Sequence, residues 1–183
     1  RRPRVVHASE SLTAKVVLEC GAGEGYRPAW WLPGGHLDTL YAHYRLNLFP
    51  PPFPCLREEL RGDDGGVFSI DFDAEAQDLP GTAPLVFFLP TLTGCSRQGW
   101  GVAAACRRAG MRYVALNRRG HVQSLSTPRF SLAGSVPDLR IAIEHCSKRY
   151  PEASIGLIGS SMGSALLVRY LGDEAGALPS AIV

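Results

Sequence analysis

The sequence predicts an α/β fold, a mostly parallel sheet with helices on both faces, truncated after about its sixth strand. Three observations predict it. Short continuous apolar runs such as LVFFL (Leu85 to Leu89) have the length and composition of strands buried on both faces. Amphipathic stretches of helical period alternate with these runs, and such alternation implies parallel strands joined by helical crossovers. Finally, IGLIGSSMGSALL (Ile155 to Leu167) passes from a strand pattern straight into a helix pattern, with only small residues at the join.

Each element can be justified in order. Up to about Pro54 the chain is rich in aromatics and proline (AWWLPGGHLDTLYAHYRLNLFPPPFP), and prolines at 50, 51, 52 and 54 exclude a helix interior or a central strand there. Residues 1–54 therefore read as an irregular arm, and 55–183 as the N-terminal half of the α/β domain. CLREEL and GVFSIDFD, joined by GDDGG, read as a hairpin pair. After LVFFL a helix is expected from about Gln98 to Ala109, ended by Gly110, and then the strand YVAL. The best helix runs from Val136 to Tyr150, where Val136, Leu139, Ile143, Cys146 and Tyr150 form one apolar stripe. Ser135 and Asp138 at its start resemble a capping box. SIGLI is the next strand, MGSALLVRYL the next helix, and SAIV opens a further strand. That strand's edge needs a cover, from more chain or from a partner chain.

Composition narrows the function. The chain has 183 residues, 45% hydrophobic and 20% charged, which suits a packed core rather than disorder. A net charge of +2 with no concentration of Lys and Arg argues against nucleic acid as a partner. No apolar run approaches the ~20 residues of a membrane helix. Cys20, Cys55, Cys95, Cys106 and Cys146 are odd in number and widely spaced, and read as reduced thiols in a reducing compartment. The opening RRPR reads as a solvated basic tail, with the stub of a processed targeting peptide as the other reading. No phosphate loop or metal-ligand constellation appears, so neither cofactor nor metal is expected. VVLECGAGEG (Val16 to Gly25) matches an apolar strand followed by E-x-G-x-G-x-G, as in methyltransferases that bind S-adenosylmethionine. That motif requires a helix next, and Pro28, Pro33, Gly34 and Gly35 argue against one, so the stretch reads as a loop.

Gly159-Ser160-Ser161-Met162-Gly163 is the motif that carries chemistry. A bare G-x-S-x-G is a weak signal, but here it lies where a buried strand turns directly into an amphipathic helix. Only small residues fit two positions either side of such a serine. The helix then aims its free N–H groups at negative charge developing there. Ser161 is the candidate nucleophile, the Met162 N–H one oxyanion donor, and Ser160 a packing residue.

With these residues the chain resembles the α/β-hydrolase superfamily, and within it AB-hydrolase family four. PLVFFLPTLTG is similar to that family's third strand and oxyanion loop, and NRRGH with LSTPRFSLAG to its strand-four loop. DLRIAIEH, RYPEA and GSSMGSALLVRYLGDE continue in the family's order, and GGHLDTLY echoes its N-terminal NPHLQTL. The resemblance implies that a backbone N–H after the third strand, that of Leu92, completes the oxyanion hole. Thr91 stands where the family usually has Gly, and a β-branched residue tolerates few backbone conformations. The resemblance also puts His121 in a loop near the pocket mouth, with Val122 replacing the usual Gly. A turn or hydrogen-bonding role for His121 is the plainer reading, a direct role in the pocket the sharper one.

A serine needs a base and an acid that orients it, in the chain order Ser, Asp or Glu, His. No histidine follows Ser161; the five are at 7, 36, 43, 121 and 145. Asp173 and Glu174 follow a helix that starts at the serine, which puts them roughly 15 Å away, too far for a triad acid. Acid and histidine are therefore expected beyond residue 183. The first functional hypothesis is a serine hydrolase of carboxylic esters, with small-molecule or lipid esters implied by resemblance, whose N-terminal half is inactive alone. The alternative is a catalytically inactive hydrolase scaffold that binds a partner.

Overall fold

The computed structural model describes residues 11–21, 29–48, 52–131 and 133–173. RRPR, the glycines at 23 and 25, Glu174 and the strand expected at SAIV lie outside the described residues. The chain divides into two compact units, Arg1–Phe49 and Pro50–Val183.

The first unit contains helix where the sequence suggests an irregular arm. α1 spans Leu12–Glu19, with the Ser11 hydroxyl accepting the Ala14 N–H at 3.1 Å as its N-cap. Val16–Glu19 is thus helical, and the strand that a cofactor-binding glycine loop requires is not formed. α2 spans Gly35–Leu48, against the expectation that the nearby prolines and glycines prevent a regular helix. The physical reason is position: Pro28 and Pro33 precede the helix, none falls inside it, and Gly34 makes the entry turn at φ 106°. Asp38 in its first turn and Arg45 in its last complement the helix dipole. Trp31 packs edge-on against Tyr41, with ring centroids 4.9 Å apart.

The second unit is a five-stranded sheet: β1 (Cys55–Arg61), β2 (Val67–Asp73), β3 (Leu85–Leu89), β4 (Arg112–Asn117) and β5 (Ile155–Gly159), in the order β1-β2-β4-β3-β5. β2 is antiparallel to β1 and β4, and β3 is parallel to β4 and β5, so all but β2 run in one direction. α3 (Trp100–Arg108) links β3 to β4 on one side, while α4 (Val136–Arg149) links β4 to β5 past β3 in the opposite sense. Right-handed crossovers in opposite senses put their helices on opposite faces. The ends of β3, β4 and β5 therefore form a topological switch point, where α/β sheets place ligands.

The strand pleat sorts the core. Phe68, Ile70, Phe72, Leu85, Phe87, Leu89, Val114 and Leu116 face Leu139 and Ile143 of α4 and Leu166 and Tyr170 of α5 (Met162–Asp173). Phe88, Tyr113 and Ala115 face Ala103 and Cys106 of α3. α3 begins two residues later than the sequence suggests, because Ser96–Gly99 closes a 3-10 turn first. Gly99 is needed there, since a Cβ would lie 1.8 Å from the Tyr113 hydroxyl. Ser135 caps α4 as expected, accepting the Asp138 N–H at 3.3 Å. The Asp138 carboxylate does not close the capping box; it pairs with Arg119.

That pair is the main polar joint of the unit. Arg119, 3% exposed, donates to Asp138 at 2.8 and 2.6 Å and to Asp64 at 2.7 and 2.8 Å. It threads under the β1–β2 turn, where a Cβ on Gly62 or Gly66 would meet its guanidinium at about 2 Å. Arg119→Met would leave Asp138 buried without its cation, and removal of one partner of a buried pair costs about 3–5 kcal/mol. Chemical unfolding of Arg119→Met is expected to show a loss of that size. A midpoint unchanged from the parent protein would mean that another contact holds the turn to α4.

Candidate active site

β3 and β5 end together: Leu89 pairs with Gly159. Ser161 is two residues past that rung on one strand and Leu92 three residues past it on the other. With neighbouring strands ~4.8 Å apart, the two segments leave the sheet side by side. They are tied at the start, since the Ser160 N–H donates to the Leu89 carbonyl at 2.9 Å.

Ser161 holds φ 53°, the left-handed conformation, and is the only non-glycine among the described residues to do so. Its backbone therefore lies outside the ordinary helical and extended regions. The side chains allowed around it follow from packing. A Cβ on Gly159 would lie 2.6 Å from the Ser164 backbone, and one on Gly163 would lie 2.1 Å from the Leu89 carbonyl oxygen. Both positions need glycine because neighbouring backbone occupies the space. Ser161 itself is exposed. α5 starts at Met162; the Gly163 and Ser164 N–H groups go to the carbonyls of Ser160 and Ser161, each at 2.9 Å. The Met162 N–H, first in the helix, has no intrahelical partner.

The loop after β3 is fixed at several points. The Thr91 carbonyl accepts the Gly94 N–H at 3.0 Å, and its hydroxyl donates to Gln98 Oε1 at 2.7 Å. Thr91 keeps a negative φ, so this β-branched residue takes no strained left-handed conformation. Ser96 anchors the far end, its N–H donating to Asn117 Oδ1 at 2.9 Å and its hydroxyl to Asp71 Oδ2 at 2.6 Å. Burial pushes the Asp71 carboxyl up, but hydrogen bonds from Arg57 and Ser96 outweigh it and hold the group below its ordinary value. Arg118 donates to the carbonyls of both Thr91 and Leu92.

His121 lies against this loop. Its ring stacks on Phe130 at 6.2 Å and hydrogen-bonds to the Gly94 backbone. Burial, then the Arg118 charge, lowers its pKa, while the bond to Gly94 works the other way. His145 is occupied elsewhere, 2.7 Å from Glu58 on β1. Among the described residues, no group of three His, Cys, Asp or Glu side chains is placed to hold a metal. A cavity of about 250 Å³ lined by Glu75, Ala76, Asp78, Leu79 and Arg107 opens where the chain enters β3, at the other end of the sheet.

The structure thus gathers Ser161, Met162 and Leu92 at one switch point and sets His121 at the edge of the loop. The sequence reading missed Arg118. NRRGH shows that two adjacent arginines follow a fully buried strand and must each find partners, but not which partners.

Strand order, crossover sense and the glycine-bounded turn at the switch point define a class: the chain has the α/β-hydrolase fold. It is 31% identical over 187 residues to embryogenesis-associated protein EMB8 of Picea glauca, covering 97% of this chain and 40% of that protein. It is also 31% identical over 180 residues to phospholipase ABHD3 of Homo sapiens, covering 94% of this chain and 44% of the relative. The chain therefore spans under half the length of these relatives. Among solved structures, the Pyrococcus furiosus esterase Pf2001 matches with TM-score 0.51 and 23% identity over 65% of this chain and 46% of the esterase, a likeness of fold. No protein-family model matches the chain.

Two predictions follow from this geometry. A left-handed conformation costs a residue with a Cβ about 1–2 kcal/mol, partly offset in glycine by its greater freedom when unfolded. Ser161→Gly is expected to be more stable than Ser161→Ala by about 0.5–1 kcal/mol in thermal or chemical unfolding; equal stabilities would mean the turn relaxes without strain. The second concerns His121. A histidine whose folded pKa is depressed binds protons more readily when unfolded, so it supports folding above its ordinary pKa of ~6.5 and that support is lost as pH falls. His121→Asn should flatten the loss of stability between about pH 7 and 5, and an unaltered pH profile would count against the depressed value.

Proposed function

We propose that the whole protein is a serine hydrolase of carboxylic esters, lipid esters among them, acting through an acyl-enzyme on Ser161. The observation that carries this reading is the left-handed backbone of Ser161. Such strain, in an exposed serine at a strand-to-helix turn, suits a nucleophile elbow rather than a packing turn. Ser161 Oγ attacks the ester carbonyl carbon, and its proton passes to a histidine that we place, with the acid that orients it, beyond residue 183. The carbonyl electron pair collects on oxygen, within reach of the N–H groups of Leu92 and Met162 as oxyanion donors. Collapse expels the alcohol, which takes the proton, and water then releases the acid and restores the serine. The name of the ABHD3 relative, a phospholipase, supports lipid esters as the substrate class. His121, against the oxyanion loop, serves to hold that loop and line the pocket mouth.

A fluorophosphonate probe tests the assignment. The whole protein should be labelled and Ser161→Ala should not, while the isolated 183-residue chain should show only background. Labelling that persists in the alanine variant removes Ser161 from the mechanism. Absence of labelling in the whole protein favours a partner-binding scaffold that has lost its chemistry.

A further inference from the structure

Sheet order places the β3 loop between two neighbours. β4 lies on one side of β3 and β5 on the other, and all three end at the same edge of the sheet. Arg118 is the first residue after β4, and Ser161 lies just after β5. Arg118 is 4% exposed, and one of its amino groups, Nη2, donates to two successive carbonyls, those of Thr91 and Leu92. The Thr91 carbonyl belongs to the same peptide unit as the Leu92 N–H. In a trans peptide these two groups lie in one plane and point in opposite directions. A carbonyl drawn toward the β4 side therefore turns the Leu92 N–H toward the β5 side, where Ser161 stands.

We infer that Arg118 is a positioning residue for the oxyanion hole: it fixes the Thr91–Leu92 peptide so that the Leu92 N–H faces the oxygen that becomes negative when Ser161 adds to an ester. This rests on the reading of Ser161 as nucleophile and assigns a role to a residue which that reading does not use. The guanidinium suits the task, being planar and permanently charged, so the carbonyl accepts a strong bond at any working pH. A carbonyl that accepts such a bond also polarises its peptide and makes the N–H opposite a better donor, since hydrogen bonds in a chain reinforce one another. Gly94, Gln98 and Asn117 also hold this loop, and among the described residues Arg118 is the side chain that grips the Thr91–Leu92 peptide oxygen with a charge. The effect belongs to the transition state, because the substrate carbonyl carries little charge before attack.

The test uses the whole protein with an activated ester and with a trifluoromethyl ketone, which adds to a serine nucleophile as a tetrahedral oxyanion. Loss of an oxyanion donor costs about 100- to 1,000-fold in kcat, so misorienting one should cost about 10- to 100-fold. Arg118→Met is expected to lower kcat by that factor with KM within about twofold. The ketone's inhibition constant should rise by the same factor as kcat/KM falls. Arg118→Lys keeps the charge but not the fork, and should fall between parent and Met variant. A purely structural role would reduce the fraction of sites titrated by fluorophosphonate while leaving the ketone's inhibition constant at the parent value; that result, or a parent-like kcat in both variants, overturns the proposal. If Ser161→Ala retains activity, the nucleophile reading fails first and is recognised as such, because the Arg118 variants do not enter that comparison.

Discussion

The close approach of α5 to the end of β3 is the constraint on which the rest of the structure depends. Gly163 sits against the Leu89 and Pro90 carbonyls, with no room for a Cβ, and Gly159 sits equally close to the Ser164 backbone. Because the helix starts this near the strand, the intervening residues must reverse direction within two positions. Ser161 takes the left-handed conformation as a consequence. The same closeness brings the β3 loop and the first turn of α5 to one place, so strain and juxtaposition have a single cause. The strain of about 1–2 kcal/mol is small beside the apolar contacts of Leu89 and Leu166, which hold the two elements together.

Around that joint the molecule uses buried charge to fix loops rather than to gain stability. Burying an ion pair seldom returns more than its desolvation cost, yet Arg119 joins the β1–β2 turn to α4, and Asp71 joins Arg57 on β1 to Ser96 beyond the β3 loop. Arg118 and Arg119 leave β4 in succession and go different ways, one to the loop after β3 and the other to the hairpin and α4. Gly120 at φ 77° then turns the chain so that His121 comes back against Gly94. Each residue from Asn117 to Arg119, with His121, is thus committed to a neighbouring segment. Loops held at this many points keep their dipoles oriented before any substrate arrives, which is what electrostatic catalysis requires.

Much of this was legible in the sequence, and for identifiable reasons. LVFFL and YVAL are too short and too apolar to be anything but buried strands, and the α4 stripe has one period and a clear cap. The serine turn was legible because its requirement is steric, and steric requirements appear as glycine. Other features were not, the helix at Leu12–Glu19 among them. The helix at Gly35–Leu48 was hidden because prolines flank it closely, and a count of prolines does not distinguish flanking from interrupting. Arg118 was hidden because its acceptors are backbone carbonyls, which every residue carries; nothing in a sequence marks which carbonyl an arginine will meet.

Thr91 shows how such hidden partners change a sequence-level argument. A β-branched residue where the family resemblance leads one to expect glycine suggests distortion, since glycine's freedom would then be in use. Here the position takes a negative φ, so that freedom is not needed. What the position does require is a carbonyl free to meet Arg118 and Gly94, and threonine supplies one as well as glycine does. The hydroxyl then adds a bond to Gln98, in the 3-10 turn before α3, that glycine could not make. That hydroxyl is one more tether on a loop already held by Arg118 and by Ser96.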